Sequence, residues 1–440
     1  MSTALFAHVS GSAGITALRS QANAASGATD IASLSAQGRK IRLLVFTSLY
    51  PNAQRPRHGV FVEERLRHLV GSGRVAATVV APVPWFPFKH RRFGDYAAYA
   101  RVPEREERHG ISILHPRYPV IPKLGMGIAP SLMYHALLPA LRKLIASGET
   151  FDLIDAHYFY PDGVAAVRLG MAMRKPVVIT ARGSDVNVIP QYRSPARQIR
   201  WAAERAASIV TVSDALKCRL KALGANPDKI TVLRNGADLD RFRPLDRAAI
   251  RAQLRVTGSV WLAVGHLVEL KGVRVAIEAL ARLPGVTLLV VGDGPEKNTL
   301  QQQTSRLGVG DRVRFLGFVD HDALCNYYNA ADALVLASSR EGMPNVVLES
   351  LACGTPVVAT AVGGIPELIA CSEAGELMRE RTSEALVQAW QTLQARNIDR
   401  GLTRTFAETL GWQPVVEAQC ALYARVLAAR QTRTCVGAGP

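Results

Sequence analysis

Short apolar runs, each followed by an amphipathic stretch, recur along this chain in two series, and no other feature narrows its fold so far. IRLLVF, a helical stretch over residues 60–70, then VAATVVAP, DLIDAH, PVVITA and SIVTVS make up the first series. After the polar, Pro-bearing RNGADLDRFRPLDRAA the rhythm restarts with VWLAVG, TLLVVGDG, VRFLG, ADALVLAS and TPVVAT. Runs of Val, Ile and Leu without polar alternation suit strands whose two faces are both covered by helices, and the βα rhythm makes those strands parallel. The sequence therefore predicts an α/β chain of two doubly wound, Rossmann-like domains around a cleft, spanning 39–243 and 244–404, with the boundary near 240–258. Helices within 405–430 are expected to return to the first domain, and residues 1–38, rich in small residues, read as a flexible leader.

A length of 440 residues fits two such domains. With 48% hydrophobic and 20% charged residues, the composition excludes a disordered or fibrous chain. The six cysteines form no CxxC pair and no Cys/His cluster at metal-ligand spacing, and they read as reduced thiols of a cytoplasmic protein. The stretch 124–141 lacks charge but carries Gly125, Gly127, Pro130, Ser131 and His135, so a buried or interfacial helix is expected there and not a membrane span. A net charge of +17 attracts nucleic acid, anionic membrane and phosphorylated ligands alike, without choosing among them.

In doubly wound sheets ligands bind beyond the carboxyl ends of the strands. That directs attention to the loops after Phe46, Ala156, Thr180, Val264, Val291 and Ala337. ADALVLAS is followed by SREGMPNVVLESLACGTPVVAT, in which Gly342 frees the backbone and Pro344 suits the first turn of a helix. A helix beginning at about Pro344 would turn the N–H groups of Met343, Pro344's neighbour Asn345, and Val346 toward the cleft, where its dipole favours a diphosphate. Glu341 and Glu349, with seven residues between them, can each accept hydrogen bonds from a different part of one extended ligand.

These residues resemble the retaining glycosyltransferases of family 4, which have the GT-B fold. Their Glu-x7-Glu signature, with the following Gly-Thr-Pro-Val strand and Gly-Gly turn, matches Glu341 through Glu367. Further matching motifs are VGHLVELKG, GDGPE, FLGFV, RNGADLDRF, HGVFVEERLRHL, AHYFYPDG and TARGSDVN, so the resemblance spans roughly residues 41–425. The first-half motifs look most like enzymes that build exopolysaccharide or teichuronic-acid-type polymers in bacteria.

The resemblance implies transfer of a hexose-type sugar from a nucleotide sugar to a glycan acceptor carried on a lipid, with retention of configuration and with no metal or other cofactor. It implies that Glu341 touches the donor sugar, Glu349 the ribose hydroxyls, and Lys271 the diphosphate, whose growing charge a lysine would stabilise. His157, at the end of DLIDAH, becomes the leading catalytic candidate through contact with the transferred sugar. Asp185 is placed near the sugar or acceptor and Gly59 near the diphosphate, while Gly342, Met343, Pro344, Asn345 and Val346 form the phosphate cradle. The chain departs from the family at His266, where an arginine is usual. A neutral imidazole still hydrogen-bonds a phosphate oxygen but lacks the fixed charge and fork of a guanidinium, and Arg340, Arg274 and Arg234 are the available substitutes.

Simpler readings stand beside these. Gly292-Asp293-Gly294 lacks the third glycine of a dinucleotide fingerprint and reads as a tight turn. Lys271 alone would pass for a solvated lysine, and a paired Glu341 and Glu349 for the acid and base of a hydrolase. APVPWFPFKHRRFGDYAAYARV interleaves Trp85, Phe86, Phe88, Phe93, Tyr96 and Tyr99 with Lys89, Arg91, Arg92 and Arg101. Docking to an anionic membrane surface or to a lipid-diphosphate acceptor is preferred there over a plain loop, and nucleic acid is not expected. The expected location is cytoplasmic, peripheral to the inner membrane. A nucleotide-sugar epimerase or hydrolase on the same fold, and a silent nucleotide-sugar-binding protein, remain as alternatives.

Overall fold

The computed structural model describes residues 39–90, 92, 94–120 and 125–436, and the leader 1–38 lies outside them. The first sheet contains β1 (Ile41–Phe46), β2 (Val75–Val80), β3 (Arg105–Arg108), β4 (Ile111–Leu114), β5 (Leu153–His157), β6 (Val177–Ala181), β7 (Ser208–Thr211) and β8 (Ile230–Val232). Their order is β8-β7-β6-β5-β1-β2-β4-β3. All pairs are parallel except β3 with β4.

That antiparallel edge escaped the sequence reading, which looked for continuous apolar runs. REER and ISIL alternate in burial and are joined by His109 and Gly110, both at positive φ (52° and 72°). A two-residue turn of that geometry matches the twist of a hairpin.

The second sheet contains β9 (Ser259–Val264), β10 (Val286–Val291), β11 (Val313–Gly317), β12 (Ala333–Leu336), β13 (Val357–Thr360) and β14 (Gly375–Met378), ordered β11-β10-β9-β12-β13-β14 and parallel throughout. The central strands are buried along their length, as their unbroken apolar sequence requires. Strand order reverses beside β1 in the first sheet and beside β9 in the second, and crevices open at such switch points.

Two C-terminal helices tie the halves together. Arg400–Glu408 stays with the second sheet, where Arg404 donates to the carbonyls of Ala352 and Phe242 at 2.8 and 2.9 Å. Trp412–Val436 crosses to the first sheet and buries Val416, Cys420, Leu422 and Tyr423 against a core that includes Val45, Leu66 and Leu69. Trp412 stacks on His68 of the helix Val60–Gly71, with ring centroids 5.0 Å apart.

Residues 129–146 form the apolar helix expected near 124–141. Met133, Leu137 and Leu141 face inward while Ile145 is exposed, and Leu124 falls outside the described residues. No helix among the described residues is long and apolar enough to cross a membrane.

Candidate functional site

Glycines interlock the loops at the end of the second sheet. Gly272 (φ 70°) lies so close to the Ala337 carbonyl that an added Cβ would come within 1.9 Å of it, and Gly292 (φ 133°) meets the Gly265 carbonyl equally closely. The close approach at Gly272 draws the loop after β9 against the loop after β12. Lys271 Nζ thereby reaches Glu341 Oε1 at 2.7 Å, and Ser338 Oγ donates to the same oxygen at 2.7 Å.

Beside this pair the helix Asn345–Ala352 begins. Pro344 has an extended ψ of 113° and occupies the N-cap, so the helix starts one residue later than the sequence suggests. The first helical bond runs from the Val347 N–H to the Pro344 carbonyl, which leaves the N–H groups of Asn345 and Val346 ahead of it at the positive end of the helix. Met343 is buried just before this turn. Gly342 abuts the first half: a Cβ there would lie 2.1 Å from the Arg182 carbonyl and 3.2 Å from Gly183 Cα.

Glu349 is held from both sides, with Oε2 accepting from Tyr328 Oη at 2.7 Å and Oε1 lying 3.1 Å from His321 Nε2. The expected ribose ligand thus has protein partners already. His266 is exposed, and its Nδ1 bonds the Asp293 carbonyl at 2.7 Å within the Gly292–Gly294 turn, which leaves Nε2 as the remaining polar ring atom. Of the three arginines weighed as substitutes, Arg234 is engaged by Asp214 and Glu367, both at 2.7 Å, and Arg274 lies 3.7 Å from Glu278. Arg340 is exposed on the loop beside Glu341.

The first half contributes loops more than free side chains. Gly59 (φ 75°) starts the helix Val60–Gly71, and a Cβ there would lie 2.2 Å from the Leu49 carbonyl, so glycine is required for the loop after β1 to fold against that helix. Asp185 is fully buried and accepts from the N–H groups of Phe159 (2.7 Å), Gly183 (2.7 Å) and Arg182 (3.1 Å). Its carboxylate therefore fastens the loops after β5 and β6 to each other. Asp162 does the same for the loop after β1, accepting from Ser48 N and Oγ, both at 2.8 Å.

His157 was expected to face the cleft, and the residue is 1% exposed. Arg182 Nη2 meets Nδ1 at 2.8 Å and Asp155 Oδ2 lies 3.1 Å from Nε2. A strand end buried on both faces draws the side chain into the sheet layer, and burial then pushes the imidazole pKa down, partly offset by Asp155. The sequence reading also passed over Arg182, Asn235 and Tyr328. Arg182 and Asn235 lie inside motifs already singled out, TARGSDVN and RNGADLDRF, so position in a strand-end motif was the available signal.

Glu64, His68 and Asp238 bring one ligand atom each to within 4.8 Å of one another, a grouping hidden from sequence spacing because Asp238 comes from after β8. Arg241 lies 3.9 Å from Asp238 and sets a positive charge against a cation there. In the first half, Trp85, Phe88 and Tyr96 are exposed, and Arg101 donates to Gln54 and to the Lys89 carbonyl. Arg91 and Phe93 of that stretch fall outside the described residues.

With this geometry in place, comparison with known proteins is informative. The family described as Glycosyltransferase Family 4 matches residues 118–241, and that described as Glycosyl transferases group 1 matches residues 246–400. A Bacillus subtilis (strain 168) protein named as a teichuronic acid biosynthesis glycosyltransferase, TuaC, is 33% identical over 357 residues, covering 79% of this chain and 88% of the relative. A D-inositol 3-phosphate glycosyltransferase of Mycobacteroides abscessus is 35% identical over 231 residues, about half of either protein (50% and 52%).

Among solved structures, sucrose-phosphate synthase from Thermosynechococcus elongatus superposes with a TM-score of 0.71 at 22% identity, over 89% of this chain and 100% of that one. Anabaena Alr3699/HepE in complex with UDP-glucose superposes with a TM-score of 0.61 at 22% identity, over 90% and 100%. Likeness at those identities concerns the fold alone.

Proposed function

This chain belongs to the glycosyltransferases of group 1 and family 4 and has the GT-B fold, and from that premise we propose that it moves a hexose-type sugar from a nucleotide sugar to a glycan acceptor, with retention of configuration, in bacterial cell-surface polysaccharide synthesis. The half built on the second sheet takes the donor and the half built on the first sheet the acceptor. The reading rests on the contact of Lys271 with Glu341 beside the start of the helix Asn345–Ala352.

In this reading Lys271 shifts to the diphosphate as the donor binds, the N–H groups of Asn345 and Val346 meet its oxygens, and Glu341 turns to the sugar. His266 Nε2 supplies a further hydrogen bond to phosphate. Glu349 takes the ribose by exchanging His321, while Tyr328 keeps its other oxygen in place. Gly59 lets the loop after β1 close near the diphosphate, and Asp185 sets the loops on which the sugar lies. His157, at the end of β5, exchanges its Arg182 contact for the sugar, which then meets Nδ1. Lysine and backbone dipoles carry the leaving-group charge, so the reading requires no metal. The exposed Trp85, Phe88 and Tyr96, with nearby Lys89 and Arg92, support an acceptor held on a lipid at an anionic membrane surface.

A panel of labelled nucleotide sugars incubated with the protein and a membrane extract tests this. Label from one donor is expected in the lipid or glycan fraction, at a rate that EDTA leaves unchanged. Interconversion of the nucleotide sugar without acceptor would identify an epimerase, release of free sugar a hydrolase, and unaltered donor throughout a silent binder. Loss of transfer on chelation, restored by Mg²⁺, would overturn the metal-free step.

A further inference from the structure

A single line of hydrogen-bonding side chains crosses the molecule from its last helix to the cleft. Tyr423, on Trp412–Val436, donates to Asp155 Oδ2 at 2.7 Å, and that oxygen lies 3.1 Å from His157 Nε2. His157 Nδ1 meets Arg182 Nη2 at 2.8 Å, Arg182 Nη1 donates to Asn235 Oδ1 at 3.1 Å, and Asn235 Nδ2 donates to Asn345 Oδ1 at 2.7 Å. Asn345 is the first residue of the helix that starts beside Lys271 and Glu341. Tyr423 and Asp155 are fully buried and His157 and Asn235 nearly so; Tyr423 shares a core with Leu43, Val45, Val178 and Val210.

Burying so many polar groups costs stability unless each is satisfied. An apolar set of the same size would have closed this core without that cost, so the chain's end points matter: one is the helix Trp412–Val436, which returns across the molecule, and the other is the cleft.

Donor and acceptor capacities fix the direction of each link. Arginine carries donors only, so His157 Nδ1 accepts and the ring proton sits on Nε2, facing the Asp155 carboxylate. Tyr423 donates to the same oxygen and is steadied by Gln419 at 2.6 Å. The neighbouring strands present Val45 and Val178 to Asp155, and three other groups favour its ionised form: His157 on its own strand, Tyr423 on the last helix and Arg65 on the helix Val60–Gly71. Arg182 approaches from the loop after β6. These interactions outweigh burial and keep the carboxyl below its ordinary pKa.

We propose that Tyr423, Asp155 and Arg182 are positioning residues of the transfer site: they lock the His157 ring in its Nε2–H form and, through Asn235 and Asn345, hold the start of the cleft helix in register with the first half. The proposal deepens the transferase reading and rests on it for the activity measurements. The returning helix is then part of the active-site scaffold as well as a clasp. Asp155 is not itself a catalytic residue, because it acts through His157.

Tyr423→Phe removes one oxygen and keeps the ring. With the donor and acceptor that support transfer by the wild type, kcat is expected to fall on the order of tenfold while donor KM stays within about twofold, as for a misplaced group and not a lost contact. Losing that hydrogen bond also raises the Asp155 pKa, so the acid-side inflection of the rate profile should move to higher pH. Asn235→Ala breaks the line at its other end and is expected to lower kcat without moving that inflection. It carries the test if Tyr423→Phe melts well below the wild type.

Nitrogen-15 NMR of His157 gives a readout independent of turnover. A single Nε2–H tautomer in the wild type and a mixture in Tyr423→Phe are expected. Failure of the wild type to transfer any sugar would strike at the transferase reading and leave the NMR result to decide the relay. Wild-type kcat and pH profile in a folded Tyr423→Phe protein, or an Nδ1–H tautomer in the wild type, would overturn it.

Discussion

Lys271 and Glu341 pair at 2.7 Å, and the proposed function has the lysine leave that pair for the diphosphate. Lys271→Ala should therefore leave the fold intact and lower kcat/KM by about 10²–10³, the usual scale for one electrostatic contact to a leaving group; near-normal turnover would remove Lys271 from the site. Glu349 is a less clean probe, because its removal leaves the buried Tyr328 hydroxyl without its acceptor, a cost of about 1–3 kcal/mol. Glu349→Gln preserves that acceptor and separates ribose binding from folding. Asp162 carries a separate consequence. Burial lifts its pKa from 3.8 to about 7 against the lowering by Ser48. The native state then holds a proton that the unfolded chain has lost, so this group's contribution is full below about pH 4 and is lost as pH rises through 7. Asp162→Asn, neutral at every pH, should raise Tm at pH 8 and do little at pH 4, as read by thermal melts; equal shifts at both would refute the assignment. Residue types marked out Lys271, Glu341 and Glu349 in the sequence. The burial that makes Asp162 and His157 unusual was not visible, because a polar residue inside an apolar run looks the same whether it points into the layer or out of it.

At the scale of elements the cleft depends on loops that touch through glycine. Gly342 has no room for a side chain, since a Cβ would press within 2.1 Å of the Arg182 carbonyl. Gly342→Ala is expected to wedge the halves apart there, raising donor KM by tenfold or so and lowering kcat, because a displacement of about 1 Å at a reacting centre costs roughly that and more. Unchanged kinetics in steady-state assays would show that the contact is incidental. The same scale separates what the apolar pattern revealed from what it concealed. β1, β5, β6, β9, β10, β12 and β13 were legible because strands buried on both faces need unbroken apolar runs. β3, β8 and β14 are short or half-exposed edge strands and β4 lies next to the edge between β2 and β3, and their pairing comes from the neighbour they meet and not from their own composition.

At the scale of the whole molecule, Arg234 pins the two halves. It comes from the loop after β8 and bonds Glu367 beyond β13, which in turn accepts from the Asp214 N–H at 2.8 Å. Gly364 closes on Ser213 at the same seam, where a Cβ would lie 3.0 Å from the serine Cβ. Domain closure shapes sites built between two sheets. Arg234→Ala should favour the open arrangement, seen as a larger radius of gyration in small-angle scattering and a several-fold higher donor KM, with kcat less affected. A radius and KM equal to the wild type's would place the hinge elsewhere.

Two doubly wound halves, the main buried strand runs and the Glu341–Glu349 segment followed from the sequence alone, because periodicity, helix-start chemistry and motif spacing are local along the chain; the order of strands in each sheet did not. Tertiary structure decided which of the marked residues remain available. Asp185 is spent on three backbone N–H groups, Glu349 is shared between Tyr328 and His321, and His157 is fixed by a line of partners drawn from residues 155, 182, 235, 345 and 423. Those partners are up to 268 positions apart. Contacts at such separations are set by how sheets and the returning helix pack, and no local pattern encodes them.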